Sequence, residues 1–196
     1  MGPVHVVEPT TVVTAGVAVL LHGHGGRPEE LLDIAVVLAE RTGRRIVLPS
    51  GTEPTDGDGF AWWEAGDLAR PAGDPEAAAA ALMAALGVLL AAEPQRQTAL
   101  IGFSQGGALA CLAGAGFAAT IIVAGFLPDG ISSPFVAGQR LLVVHGEADD
   151  VVDPLHGRRL ARVASRAGAD VTTVWHDGGH EWTTPCTEAV LAFLAE

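Results

Sequence analysis

The chain has no lysine and no tyrosine, only two cysteines and few aromatic residues, four tryptophans and six phenylalanines among 196 residues. Each shortage removes a class of chemistry. No catalytic role can rest on an amine or a phenol side chain. All eleven basic residues are arginine, against 23 acidic ones, and the formal charge of −12 disfavours nucleic acid and anionic membrane surfaces as partners. Small neutral molecules fit better. Cys111 and Cys186 lie far apart and match no metal-ligand spacing, so two buried thiols in a reducing compartment are expected rather than a disulfide. Met1 to His5 lacks the basic region and apolar run of a signal peptide, which makes a cytoplasmic location the expectation. Ala77 to Ala92 carries no charge, yet about sixteen residues are too few to cross a bilayer comfortably.

What the chain does have is alternation. Apolar runs of strand length recur at Val4 to Val7, Gly16 to Leu21, Arg45 to Leu48, Gln97 to Ile101, Thr120 to Ala124, Arg140 to Val144 and Asp170 to Trp175. Near-continuous hydrophobic runs of this kind are the mark of strands covered on both faces, as in a parallel sheet. Between them lie helix signals. Pro28-Glu29-Glu30 opens one helix that Gly43 closes, and Asp74-Pro75-Glu76 opens another that Glu93-Pro94 ends. A helix follows Ser104, Pro154 begins one that Gly168 ends, and the last starts near Thr184-Pro185. Ser50 to Gly73, rich in Gly, Pro and Asp, reads as a long surface loop interrupted by Phe60-Ala61-Trp62-Trp63-Glu64. The pattern predicts one α/β domain over residues 1–196, a mostly parallel central sheet with helices on both faces, compact and without a large lid.

Polar residues gather where these strands end, which is where open α/β sheets form their sites. Gly102-Phe103-Ser104-Gln105-Gly106 stands between a buried strand and a helix, the setting a nucleophile elbow requires. A serine hydroxyl needs a base beside it at neutral pH, and that base needs a carboxylate to hold its ring in one tautomer. His180, after Gly178-Gly179, is the candidate base, with His176 its competitor. Asp149 is the candidate acid, with Asp150 its main rival, and Asp153 before Pro154 suits a helix cap instead. The order Ser104, Asp149, His180 is that of α/β-hydrolases. The backbone N–H groups of Gln105 and His24 are the candidate donors to a developing oxyanion. His22 and His145, each before a glycine at a strand end, suit structural hydrogen bonding.

On Leu20-Leu21-His22-Gly23 with Gly25, Trp62-Trp63-Glu64, Gly102 to Gly107, Ala124 to Pro128, His145 to Asp149 and Gly179-His180-Glu181, the chain resembles the phospholipase/carboxylesterase family of α/β-hydrolases. That family includes bacterial carboxylesterases and acyl-protein thioesterases. The resemblance implies an α/β-hydrolase fold, with nucleophile, acid and base at Ser104, Asp149 and His180 and oxyanion donors at His24 and Gln105. Asp150 departs from a frequent proline, and Ala124 from a common serine. Trp62, Trp63, Phe126, Leu127 and Trp182 are the candidate lining of an acyl pocket.

The expectation is a serine carboxylic-ester hydrolase acting through an acyl-enzyme on small or short-chain acyl esters, with no cofactor and no metal. The alternatives are an acyl-thioesterase or lysophospholipase using the same residues, and a non-catalytic binding protein of the same fold.

Overall fold

The computed structural model describes residues 2–10, 15–67, 71–91 and 97–196. Seven strands form the main sheet: β1 (Val4–Val7), β2 (Val17–Leu21), β3 (Arg45–Pro49), β6 (Thr98–Phe103), β7 (Ala119–Val123), β8 (Arg140–Gly146) and β9 (Asp170–His176). Their spatial order is β1-β3-β2-β6-β7-β8-β9, and every pairing is parallel except β1 with β3. β4 (Glu53–Pro54) and β5 (Phe60–Ala61) make a small separate antiparallel pair. The expected mostly parallel sheet is therefore present, with an antiparallel strand at one edge.

Side chains on the buried strands alternate between two apolar layers, as the pleat requires. On one face Ala18, Leu20, Ile46, Leu48, Ile101, Ile121 and Val144 pack with α1 (Leu32–Thr42) and α5 (Thr184–Ala195). On the other, Val19, Leu21 and Leu100 pack with α2 (Pro75–Leu89) and α3 (Gln105–Ala113), while Ile122, Leu141 and Val143 pack with α4 (Pro154–Arg166). Among the described residues no helix is long and apolar enough to cross a membrane.

The helix starts follow their sequence signals. Oδ1 of Asp74 accepts the N–H groups of Glu76 and Ala77, both at 3.0 Å, and Pro75 fills the first turn of α2. Asp153 caps α4 by accepting the Leu155 N–H at 2.8 Å. The helix expected from Pro28 begins instead as a 3₁₀ turn, Pro28–Leu31, before α1 proper. The expected end of α2 at Glu93-Pro94 lies outside the described residues, as do residues 68–70 of the long loop. That loop is less superficial than expected: it contributes β4 and β5, and Trp62 and Trp63 lie in the core beside Leu21 and Leu109. β8 runs two residues further than its apolar run, because the ladder with β9 continues through His145 and Trp175 to Gly146 and His176. Both cysteines are free and buried.

The chain steps outward from β2 to β3, then crosses back so that β6 lies on the other side of β2. The loops after β2 and β6 therefore leave neighbouring strands at their carboxyl ends, the place where open α/β sheets form their sites.

Two substitutions separate core from surface. Leu20→Ala, at a fully buried position of β2, is expected to cost about 2 to 5 kcal/mol in urea unfolding. Val88→Ala, on the exposed face of α2, is expected to stay within about 0.5 kcal/mol of the parent. Equal losses at the two positions would contradict this layering.

Candidate active site

Ser104 ends β6 and starts α3 with φ 54° and ψ −118°, a conformation that side-chain-bearing residues rarely adopt. Neighbouring glycines make the turn possible. A Cβ on Gly102 would run into the carbonyl oxygen of Gly106, and one on Gly106 would strike the carbonyls of Leu21 and His22. The first turn of α3 therefore rests directly on the end of β2. The turn is fastened at both sides: the Ser104 N–H donates to Val123 O at 2.9 Å, and Ser104 O accepts from the Ala108 N–H at 3.0 Å.

The Ser104 hydroxyl lies 2.9 Å from Nε2 of His180, whose Nδ1 lies 2.8 Å from Oδ2 of Asp149. His180 comes from the loop between β9 and α5, and Asp149 from the loop between β8 and α4. The Asp149 side chain is fully buried and that of His180 is 14% exposed. Asp149 Oδ1 accepts the N–H groups of Val151 at 3.0 Å and Val152 at 2.8 Å, so the carboxylate cannot rotate freely. With Nδ1–H donated to this carboxylate, Nε2 of a neutral His180 is left to accept the serine proton.

The rival residues sit elsewhere. Asp150 is exposed, and Glu147, another acid of the same loop, pairs with Arg158 at 2.6 Å. Nδ1 of His176 accepts the Gly178 N–H at 3.1 Å, and its Nε2 lies 3.4 Å from the Cys186 sulfur.

On the β2 side, a Cβ on Gly23 would come within 3.2 Å of the Ser104 Cβ, so this loop passes directly over the serine. The Gly25 N–H donates to Phe60 O and the Gly26 N–H to Gly23 O, whereas the His24 N–H has no hydrogen-bond partner among the described residues. The Gln105 N–H, in the first turn of α3, has no carbonyl one turn behind it within the helix. The N–H groups of His24 and Gln105, one following Gly23 and the other following Ser104, remain the candidate oxyanion donors.

Several contributions are not apparent in the motif. Both ends of the Gln105 amide are used: Oε1 accepts the Trp62 N–H at 3.0 Å, and Nε2 donates to Trp63 O at 3.1 Å. His22 is buried with both nitrogens occupied, Nδ1–H donating to Gly23 O at 2.7 Å and Nε2 accepting the Gly51 N–H at 3.0 Å. Burial lowers its pKa below the ordinary value. Trp62 stacks on it at 4.8 Å between ring centroids and donates its indole N–H to His22 O. Phe103 lies 5.1 Å from the His180 ring and 6.3 Å from Trp182, backing the imidazole. The sequence marked His22 for structural hydrogen bonding and Trp62 and Trp63 as candidate lining, but not the Gln105 amide or the partners these residues share. These partners of Gln105 and His22 lie far away in the sequence, 40 to 43 residues for Trp62 and Trp63 and 29 for Gly51.

The five aromatic and aliphatic candidates do not form one wall. Trp62, Trp63 and Phe126 share a cluster with Leu109 and Val152. Leu127 points into the layer beneath α4 with Cys111 and Leu160, and Trp182 packs against the α1 and α5 layer. The reason is alternation: Phe126 and Leu127 are consecutive and turn to different clusters.

A family model described as Serine hydrolase (FSH1) matches residues 33–185. No curated protein sequence matches the chain. Among solved structures, a carboxylesterase from Mesorhizobium loti is 25% identical with a TM-score of 0.80, over 93% of this chain and 90% of that one. Esterase PE8 is 24% identical with a TM-score of 0.87, over 97% and 96% of the two chains. Acyl-protein thioesterase 2 of Zea mays is 24% identical with a TM-score of 0.78, over 100% and 98%. The last two establish a shared fold.

Gln105→Ala leaves a buried N–H and a buried carbonyl without partners, and a loss of about 2 to 4 kcal/mol in urea unfolding is expected, with altered tryptophan fluorescence. The buried histidine sets a pH dependence. With its folded pKa below the unfolded value of about 6.5, the unfolded chain binds the extra proton first, so this stabilisation is complete above that pH and is lost as pH falls through the folded pKa. Unfolding midpoints are expected to fall from pH 7.5 to 5.5, and less steeply in His22→Asn. Equal slopes would contradict the assignment.

Proposed function

The chain belongs to the serine hydrolase (FSH1) family, and from that premise we propose that it is a carboxylic-ester hydrolase that works through an acyl-enzyme on small or short-chain acyl esters. The observation that carries this reading is the unbroken path from the Ser104 hydroxyl through His180 to Asp149, at 2.9 and 2.8 Å. Ser104 Oγ attacks the ester carbonyl carbon while His180 Nε2 takes its proton. Asp149 stabilises the resulting imidazolium without itself being protonated. The negative charge arriving on the carbonyl oxygen is met by the backbone N–H groups of His24 and Gln105, each of which is worth about 3 to 4 kcal/mol in comparable sites. The tetrahedral intermediate expels the alcohol, which takes the proton from His180. Water then repeats the sequence, with His180 as base, to release the acid and restore Ser104.

Trp62, Trp63 and Phe126 supply the apolar support nearest the turn, and Trp182 backs the base through Phe103. Thioesters can enter the same sequence with a thiol as leaving group. The thioesterase name of the Zea mays neighbour makes them a second substrate class to assay.

Ser104→Ala and His180→Ala are expected to lower kcat/KM for nitrophenyl acetate by at least about 10⁴-fold, and Asp149→Asn by about 10⁴-fold. Across a nitrophenyl ester series, kcat/KM is expected to be greatest at short acyl chains. A maximum at long chains, or faster turnover of acyl-thioesters or lysolipids in parallel assays, contradicts the substrate assignment.

A further inference from the structure

His145 takes no part in the proton path just described, yet it is fully buried beside it. It stands in β8, four residues before Asp149. Its Nε2 lies 2.8 Å from Val152 O and 3.3 Å from Asp149 Oδ2. Its Nδ1 is buried with no hydrogen-bond partner among the described residues. That nitrogen faces Gly157 of α4, where a Cβ would stand 2.6 Å away, so the helix backbone closes over it. Two acceptors at Nε2 and none at Nδ1 leave one sensible state: a neutral ring with its proton on Nε2. The Trp175 ring, 6.1 Å between centroids, covers another side of it.

The consequence falls on Asp149. Val152 is gripped at both ends, its N–H by Asp149 Oδ1 and its carbonyl by His145. Asp149 Oδ2 meets two imidazoles, His180 at 2.8 Å and His145 at 3.3 Å. We propose that His145 is a positioning residue of the hydrolytic site, fixing the Asp149 carboxylate through Val152 and, by presenting an N–H beside Oδ2, limiting how strongly that oxygen draws on His180. The proposal rests on the reading of Ser104, His180 and Asp149 given above.

A donor beside a carboxylate oxygen stabilises its charge and weakens it as an acceptor for anything else. Removing the donor makes Asp149 a stronger partner for the His180 imidazolium, so His180 holds its second proton to higher pH. The acid limb of kcat/KM must then move upward. Release of Val152 lets the carboxylate turn, which lowers kcat, while KM is spared because His145 is enclosed and touches no substrate. The charged and titratable groups around His145 are few: Asp149 and His180 on the site side and His156 from α4. Beyond Trp175, Arg158 lies over its ring and pairs with Glu147. Burial holds His145 itself below the ordinary histidine range.

The test is the pH dependence of nitrophenyl acetate hydrolysis in the parent, His145→Gln and His145→Leu. Glutamine places an N–H where the ring Nε2 stands. His145→Gln is expected to keep kcat within about threefold with its acid limb unmoved, and His145→Leu to lose about tenfold or more in kcat at nearly constant KM. The acid limb of His145→Leu is expected about half a pH unit higher. If the leucine variant does not fold, nitrogen NMR of labelled histidine in the parent decides, by finding His145 neutral with its proton on Nε2 down to pH 5. An unmoved limb in His145→Leu, an equal loss in His145→Gln, or a protonated Nδ1 at His145 overturns the proposal. Ser104→Ala is the separate control: if it hydrolyses the ester as fast as the parent, the underlying reading fails, whatever the His145 variants do.

Discussion

Everything in the site depends on one strained turn. Ser104 sits at φ 54°, a conformation that costs about 1 to 3 kcal/mol and lasts only where the surroundings enforce it. Here they do: Gly102 and Gly106 are pressed together, Gly106 is pressed against the end of β2, and the Ser104 N–H is tied to β7. The same constraint accounts for the near-total burial of α3, whose glycine and alanine surface lets it sit tightly on the sheet. It also explains why the β2 loop can pass over the hydroxyl, since only glycine fits at position 23 without pressing on Ser104. Ala124, with φ 49° at the end of the neighbouring β7, is a second strained residue. Its N–H donates to Val144 O at 2.8 Å.

Around this turn the histidines are sorted by what lies next to each nitrogen. His22 has a donor and an acceptor already satisfied and serves as a stacking platform for Trp62. His145 has two acceptors at one nitrogen and helix backbone at the other. His176 is engaged by Gly178 and Cys186. Among the described residues His180 alone spans a carboxylate and a hydroxyl, with part of its surface open. One residue type thus stands in several different settings, and the distinction comes from geometry more than from residue identity.

The alternation of apolar runs was enough to place nearly every strand and helix, because buried parallel strands have little sequence freedom. The elbow was legible for the same reason: its glycines are demanded by backbone contact. Asp153 as a cap could be read from the following proline. What the sequence could not separate were features decided by long-range packing. Asp149 and Asp150 are adjacent and chemically alike, and only the direction each side chain takes from the loop distinguishes them. Trp62 and Trp63 interrupt what reads as a surface loop, but the Gly, Pro and Asp around them give no sign of how far the segment turns into the core. Phe126 and Leu127 looked like one pocket wall, but Phe126 joins the cluster beneath α2 and α3 and Leu127 the one beneath α4. The amide of Gln105 gave no signal, since its partners lie more than 40 residues away.

The central claim is that this turn makes the hydroxyl of residue 104, and no other, the nucleophile. Peptide mapping by mass spectrometry after treatment with a fluorophosphonate tests it most directly. One equivalent of label on Ser104, with ester hydrolysis lost in proportion, is the predicted result. Label on another residue, or full hydrolytic activity in a protein stoichiometrically modified at Ser104, would contradict it.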